Sequence, residues 1–402
     1  MIFKSTLIIF ATNTIAHFLN YLYHFIAGRF LSPDQFGLLE SFVALNYLLA
    51  VVISAFSLSI IHQLSLAKKS HQPTLINQLQ TFSLKLTLVV WSITLLFFPL
   101  LKRLLHFNNP YLLFLFSLQI LFSFTPTLYL SFLQAKLKFT KYSLVNLLSP
   151  LVKTLSSLIL FFLGFKVSGA LTGLFLASLI PAIFSYQLVK PHLPKHQQKP
   201  PLPLPPSFFK FGLTAFIVNL SLTSLYTSDV LLVRFFISHQ SGLYAAASVL
   251  SKIIFFVSAS VLTVTFPVFT LQTNNLNKLK TSFKNAFFLI SIIAFLGVIV
   301  YQTYPHLVIK LFSSSEYTLA TTLLPGFSLF IFFFTLFNLS TQLLLILNKR
   351  LAILTTLIPA IFQVILIFLF HQNLFQVITN SIITTLFGLT LSLIFILKLL
   401  YI

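Results

Sequence analysis

The chain has 402 residues, of which 57% are hydrophobic and only 7% are charged, and its mean hydropathy is +0.99. A water-soluble domain has about 25% charged residues, so this composition excludes a soluble fold. The net charge of +21 comes from lysines and arginines scattered between apolar runs, which argues against a nucleic-acid-binding domain, and the absence of cysteine excludes disulfides and thiolate catalysis.

Long apolar runs separated by polar residues predict the helices. A helix that crosses the hydrocarbon core needs about 20 apolar residues. In the first half the runs lie near 6–27, 37–66, 82–101, 111–134, 143–163 and 169–189. In the second half they lie near 208–233, 243–270, 284–304, 318–347, 351–370 and 375–398. The sequence therefore predicts an all-α integral membrane protein with about twelve transmembrane helices.

A proline-rich segment separates the two sets of helices. Residues 190–206 contain seven prolines, which oppose a helix and favour extended polyproline geometry. We therefore predict an N-terminal six-helix bundle at 1–189, a cytoplasmic linker at 190–207 and a C-terminal six-helix bundle at 208–402. The alternative interpretation of the linker is a docking site for a partner.

The distribution of lysine and arginine predicts the orientation in the membrane. If the N-terminus is cytoplasmic, about 16 of the 25 cations fall in cytoplasmic loops and about 6 in outer loops. Cytoplasmic loops of membrane proteins carry an excess of cations. We therefore expect a multi-pass protein of the cytoplasmic (inner) cell membrane with both termini in the cytoplasm.

A short internal repeat relates the two halves. Residues 29–38 and 234–243 align without a gap at an offset of 205, and five of their ten positions are identical. A chance match is the alternative explanation. Because six helices per half is an even number, the halves have the same orientation, which predicts two pseudo-symmetric bundles with a cavity between them. We expect Gly37 and Gly242 to let the chain turn tightly into the second helix of each half.

The repeat also carries a family resemblance. Residues 28–38 (GRFLSPDQFGL), 228–236 (SDVLLVRFF), 242–246 (GLYAA) and 266–267 (FP) resemble landmarks of polysaccharide flippases of the Wzx type. These flippases belong to the multidrug/oligosaccharidyl-lipid/polysaccharide (MOP) exporter superfamily. The resemblance implies a MATE-like architecture and a flippase for isoprenoid-diphosphate-linked oligosaccharides. The chain has only four acidic residues, fewer than many relatives, which argues against carboxylate-based ion coupling.

Two lysines within predicted helices are candidates for binding an anionic headgroup. Lys153 is central in the predicted helix at 143–163. Lys252 lies about 15 Å from the start of the predicted helix at 243–270 by helical rise. A charge at mid-membrane costs about 2.5–3.5 kcal/mol, so we expect both to face a cavity or a partner. The alternatives are snorkelling or structural pairing, with Asp229 as the candidate partner of Lys252.

Other charged residues are weaker candidates. Arg29 and Arg234 occupy equivalent positions of the repeat, where they would receive the headgroup at the outer mouth or anchor the chain at the interface. Lys85 would capture the headgroup on the cytoplasmic side or act as an anchor. We expect Asp229 to be the only carboxylate well inside a helix, as an ion site or, preferably, in a salt bridge with a cation.

These observations favour one function over two others. We predict a flippase that translocates a lipid-diphosphate-linked oligosaccharide by alternating access for cell-surface polysaccharide biosynthesis. The alternative is a cation-coupled multidrug exporter of the same fold. No catalytic, phosphate-binding or metal motif is recognisable, so we expect no enzyme activity, cofactor or metal. Expected partners are the lipid-linked substrate, membrane lipids and polysaccharide assembly enzymes, without nucleic acid, and we expect a monomer.

Overall fold

Helices make up the structure. The computed structural model describes residues 2–66, 72–192, 206–312 and 315–401, and these residues contain no β-strand. The proline-rich linker at 193–205 and the side chains of residues 266–267 lie outside the described residues. The helices are α1 (Ile2–Phe30), α2 (Pro33–Leu66), α3 (Gln72–Leu96), α4 (Phe98–Leu104), α5 (Pro110–Ala135), α6 (Phe139–Phe162), α7 (Val167–Val189), α8 (Pro206–Leu225), α9 (Ser228–Phe236), α10 (Ser241–Leu271), α11 (Leu276–Thr303), α12 (Pro305–Phe312), α13 (Leu324–Leu347), α14 (Lys349–Leu369) and α15 (Leu374–Tyr401).

The all-α membrane architecture predicted from the sequence is confirmed. Within the described residues, 10 helices are long and apolar enough to cross a membrane, or 11 if the bent pair α8–α9 is one span. The predicted helix at 6–27 forms as α1 (Ile2–Phe30).

The predicted helix at 208–233 is not continuous. It is broken into α8 and α9 with a bend of 46°, although the intervening Tyr226 and Thr227 are neither glycine nor proline. The Gln363 side chain of α14 donates a hydrogen bond of 2.9 Å to the carbonyl oxygen of Leu225, the last residue of α8. A tertiary contact therefore satisfies a carbonyl that the broken helix leaves without a partner.

A second boundary also differs from the prediction. The predicted helix at 318–347 begins as a 3₁₀ segment, Ser315–Thr322, and the α-helix α13 starts only at Leu324. Pro325 occupies the first turn of α13, where a proline needs no backbone N–H partner and fixes a helical φ. The proline therefore starts a new helix instead of lying inside a longer one.

Two compact units make up the chain. The first consists of Met1–Leu31 and Leu49–Phe216, and the second of Ser32–Leu48 and Ile217–Ile402. The start of α2 thus belongs to the second unit, although it lies in the first half of the sequence. The predicted division at the proline-rich linker stays a prediction.

Each unit is organised around its own buried helices. In the first, α5 packs against α3 and α7, while α6 packs against α1 and α7. Phe124 and Phe132 of α5 are buried in its apolar core. In the second unit α13 is central, because α10, α11, α14 and α15 all pack against it. Phe327 and Phe334 of α13 are fully buried there.

The two copies of the repeat meet inside the second unit. A Cβ added to Gly37 would lie 2.6 Å from the backbone nitrogen of Gly242, and one added to Gly242 would overlap the Pro33 carbonyl group. Among the described glycines only Gly164 has a positive φ. The expectation that Gly37 and Gly242 serve a tight turn is therefore wrong: they are glycines because two helix starts approach too closely for a side chain.

Candidate functional site

The site in the second unit is centred on a buried lysine. Lys252 is 9% exposed and lies within α10, where its Nζ is 5.5 Å from the ring centroid of Tyr226. Asp229 and Glu40 act on it electrostatically. Within the described part of the chain, no acid lies within 4.0 Å of its amine. The ammonium group is thus buried near two acids and an aromatic face without a direct ion pair.

The same site contains a buried carboxylate. Asp229 is fully buried in the first turn of α9, and its Oδ2 accepts a hydrogen bond of 2.8 Å from the Tyr244 hydroxyl. Its other oxygen, Oδ1, has no hydrogen-bond partner among the described residues. The helix N-terminus stabilises negative charge. The contact observed for its Oδ2 is with a tyrosine, and a salt bridge or an ion-binding role of Asp229 stays a prediction.

A polar cluster surrounds the break between α8 and α9. Gln363 is fully buried, and its Nε2 donates to the Ser381 hydroxyl at 2.9 Å as well as to Leu225. The Ser228 hydroxyl, which precedes Asp229, lies 3.4 Å from Gln363 Oε1. Buried polar groups need such partners because each unpaired one is costly. The cluster therefore holds α9, and with it Asp229, at a fixed position against α14 and α15.

The expectation that Asp229 is the only carboxylate well inside a helix is wrong, because a second acid is buried in a helix as well. Glu40 is 5% exposed and lies in α2. The sequence placed the start of this helix at 37, whereas α2 begins at Pro33. Glu40 is therefore two turns into the helix instead of at its end. Together with Asp229, it acts electrostatically on Lys252.

Arg234 is held in a structural ion pair. Its side chain is 2% exposed, and its guanidinium donates to Asp34 Oδ1 at 2.6 Å and to the Ser241 hydroxyl at 3.0 Å. It thereby links α9 to the starts of α2 and α10. Arg29, its repeat equivalent, is exposed in the first unit and lies 4.9 Å from the Phe25 ring centroid. The two arginines thus have different surroundings, and those of Arg234 favour an anchoring role; headgroup binding stays a prediction for both.

Lys153 belongs to a polar contact between α1 and α6 of the first unit. Its Nζ donates to Asn20 Oδ1 at 2.6 Å and lies 4.4 Å from the Tyr23 ring centroid. Seven residues earlier on each helix, Asn146 donates to Asn13 Oδ1 at 3.0 Å. A spacing of seven keeps these residues on one helix face. The half-buried lysine therefore continues a line of amides along this contact.

Lys85 is the last of the site residues predicted from the sequence. Lys85 lies on α3 and is exposed, a location that suits an anchor; capture of a headgroup stays a prediction. The described residues contain no group of three or more His, Asp or Glu side chains arranged to hold a metal ion.

Sequence reasoning did not find the aromatic groups of these sites. Tyr23 contacts Lys153 and Tyr226 contacts Lys252, both through ring faces that attract cations. Tyr244 was visible only as part of the GLYAA motif at 242–246. The sequence does not show which helices pack together, so it cannot indicate which aromatic residue lies beside a lysine within the membrane.

Comparisons with known proteins give the context of this arrangement. A family model described as "Polysaccharide biosynthesis protein" matches residues 2–273. Among solved structures, a multidrug resistance MATE family transporter of the MOP superfamily, inward-facing, superimposes with a TM-score of 0.74 at 16% identity, covering 95% of this chain and 94% of that one. The lipid II flippase MurJ, inward closed, gives a TM-score of 0.74 at 16% identity, with 97% and 87% covered.

A further structural relative comes from an archaeon. A MOP superfamily transporter from Pyrococcus furiosus gives a TM-score of 0.62 at 14% identity, covering 98% of this chain and 96% of that one. No curated protein sequence matches the chain. The MATE-like fold expected from the sequence is confirmed, and the family resemblance noted there is confirmed by the match to the polysaccharide biosynthesis model.

Proposed function

Because the chain belongs to the polysaccharide biosynthesis protein family, whose model covers residues 2–273, we propose that it is a flippase for a lipid-diphosphate-linked oligosaccharide. It works by alternating access of its two halves and serves cell-surface polysaccharide biosynthesis. The sugar and diphosphate pass through the protein while the lipid tail stays in the bilayer. The substrate class comes from the family and from the chemistry of the buried cations.

The observation that carries the proposal is the burial of Lys252. A buried ammonium in a membrane-spanning helix is unfavourable unless an opposite charge approaches it. Its two acidic neighbours are not in direct contact with it: Asp229 is bonded to Tyr244, and no acid lies within 4.0 Å among the described residues. A diphosphate would supply the missing contact through charge-assisted hydrogen bonds. In the first unit, Lys153 with Asn20 offers a cation beside an amide, a pair that suits a phosphate next to a sugar.

The test is translocation by the purified protein. Proteoliposomes are loaded with a labelled lipid-diphosphate oligosaccharide, and exposure of the sugar on the opposite leaflet is followed over time. We expect Lys252→Gln and Lys153→Gln each to slow translocation about tenfold or more, since a hydrogen bond to a charged group contributes about 1.5–3 kcal/mol. Lys310→Gln, which removes an exposed lysine of α12, is the control. Unchanged translocation in both the Lys252→Gln and the Lys153→Gln variant would refute the proposed roles.

The same preparation discriminates against the multidrug exporter. An exporter of amphiphilic drugs would move cationic dyes across the liposome membrane and would be insensitive to the lipid-linked sugar. We expect no dye transport and no change of drug tolerance in cells that lack the protein. Such cells should instead accumulate lipid-linked sugar on the cytoplasmic leaflet. Neither role is enzymatic, so the lipid-linked sugar should be recovered chemically intact.

The proposed location is the cytoplasmic membrane, with both termini inside. The chain contains no cysteine, so a single introduced cysteine reports one position without background. A membrane-impermeant maleimide applied to intact cells should label Lys310→Cys, in the predicted outer loop, and leave Lys278→Cys unlabelled until the membrane is opened. The reverse pattern would invert the orientation. We also propose a monomer that contacts polysaccharide assembly enzymes; cross-linking in cells tests both points.

A further inference from the structure

A groove on the second unit has two chemically different ends. It has a volume of about 630 Å³ and runs between α11 and α15, which both pack against α13. On the α11 side it is lined by Lys280 and Lys284 at one end and continues along Phe287 to Ser291. On the α15 side its lining is aliphatic and includes Ile396 and Leu397.

The spacing of these residues makes one continuous stripe. Lys280 and Lys284 are four residues apart, as are Lys284 and Phe288, so they are neighbours on one helix face. The part of the stripe beyond the lysines, from Lys284 to Ser291, is about 10 Å long by helical rise. This length is about a third of the roughly 30 Å hydrocarbon core of a bilayer. The groove therefore has room for the part of an acyl chain next to its headgroup, within a single leaflet.

The lysines lie where a lipid headgroup would be. The membrane-crossing helix Leu276–Thr303 has 28 residues and is about 42 Å long, so it exceeds the hydrocarbon core and its first turns reach the headgroup layer. Lys280 lies about 6 Å and Lys284 about 12 Å from the start of this helix by helical rise, and long lysine side chains near a helix end extend to the interface. No acid is among the residues that line the groove. A cationic end at headgroup level and a remainder that is apolar except for Asn285 and Ser291 match an anionic amphiphile.

We propose that this groove binds an anionic glycerophospholipid of the bilayer. Lys280 and Lys284 hold its phosphate, and one acyl chain lies along Phe287 and Ser291 of α11 and Ile396 and Leu397 of α15. The part of the acyl chain next to the headgroup lies along the groove, within one leaflet. The site lies within the second unit and is independent of the proposed cation sites at Lys153 and Lys252.

The experiment measures lipid binding to the full-length protein in detergent by native mass spectrometry. Phosphatidylglycerol is compared with phosphatidylcholine that carries the same acyl chains. The double variant Lys280→Gln/Lys284→Gln should weaken phosphatidylglycerol binding about tenfold or more, because each lysine near an anionic headgroup contributes to its attraction. Ser291→Phe, which fills the end of the groove away from the lysines and keeps both of them, should weaken it as well. Phosphatidylcholine should bind weakly to every form.

A matched control separates the groove from general electrostatics. Lys278→Gln/Lys398→Gln removes the same charge from two exposed lysines at the ends of the same helices, neither of which lines the groove. This variant should bind phosphatidylglycerol within twofold of the natural chain. Equal weakening in the control, unchanged binding in both groove variants, or displacement of phosphatidylglycerol by a polyprenyl phosphate at lower concentration would each overturn the proposal.

Discussion

Removing the charge of Asp34 should cost more stability than removing the whole ion pair. In Asp34→Asn the guanidinium of Arg234, 2% exposed, keeps the Ser241 hydroxyl at 3.0 Å but loses its counter-charge. A hydrogen bond to a charged group contributes about 1.5–3 kcal/mol. Because the Asp34 side chain is 67% exposed, water offsets part of this loss. We therefore expect a destabilisation of about 1–2 kcal/mol.

In the double variant Asp34→Asn/Arg234→Met the buried charge is gone, and a residue of similar length fills its place. Replacing a buried ion pair by apolar groups is often close to neutral, so the double variant should be more stable than Asp34→Asn alone. Thermal unfolding of the purified protein, followed by circular dichroism, gives the ranking, with Arg234→Met completing the cycle. If the two substitutions simply added, or if Asp34→Asn had no effect, the structural role assigned to Arg234 would be wrong.

Three further predictions address other contacts. Gly242→Ala places a methyl group on the Pro33 backbone and should lower the free energy of unfolding by about 2 kcal/mol or more. Gly326→Ala, whose Cβ would meet one side-chain atom, Cγ2 of Ile378, at 3.0 Å, should lower it less in the same melting assay. Gln363→Leu leaves the Leu225 carbonyl without its hydrogen bond and should lower the free energy of unfolding by about 1–3 kcal/mol. Gln302→Leu, which removes an exposed hydrogen bond to the Pro325 carbonyl, should lower it less, and equal losses of stability would contradict the role of burial. In the loop before α6, burial and the charges of Lys141 and Lys136 lower the pKa of Lys138, so a larger fraction of its amine is neutral at mildly alkaline pH. Lys141→Gln should raise the pKa of Lys138 and slow the reductive methylation of its amine, which peptide mass spectrometry measures.

Much of the fold could be predicted because its strongest determinant is local. Runs of apolar residues long enough to cross hydrocarbon do not depend on partners elsewhere in the chain. The break after Leu225 could not be predicted, because Tyr226 and Thr227 carry no local signal for it. The groups that hold the break, Gln363 and Ser381, lie more than 130 residues away.

The candidate sites show the same limit. The sequence identified Lys153, Lys252 and Asp229 from their depth in helices, because an ionisable group there is unusual in itself. It could not show that Tyr244 bonds to Asp229, or that Arg234 is buried against Asp34, 200 residues away. It also misplaced Glu40 through a four-residue error at the start of α2. Burial and pairing depend on which helices meet, and periodicity does not specify that.

The contact between Gly37 and Gly242 ties the two copies of the repeat to each other. Each glycine lacks a side chain because the backbone of the other copy occupies the space. A bulkier residue at either position would collide with the other copy, so neither position can change unless the backbone that it faces moves away.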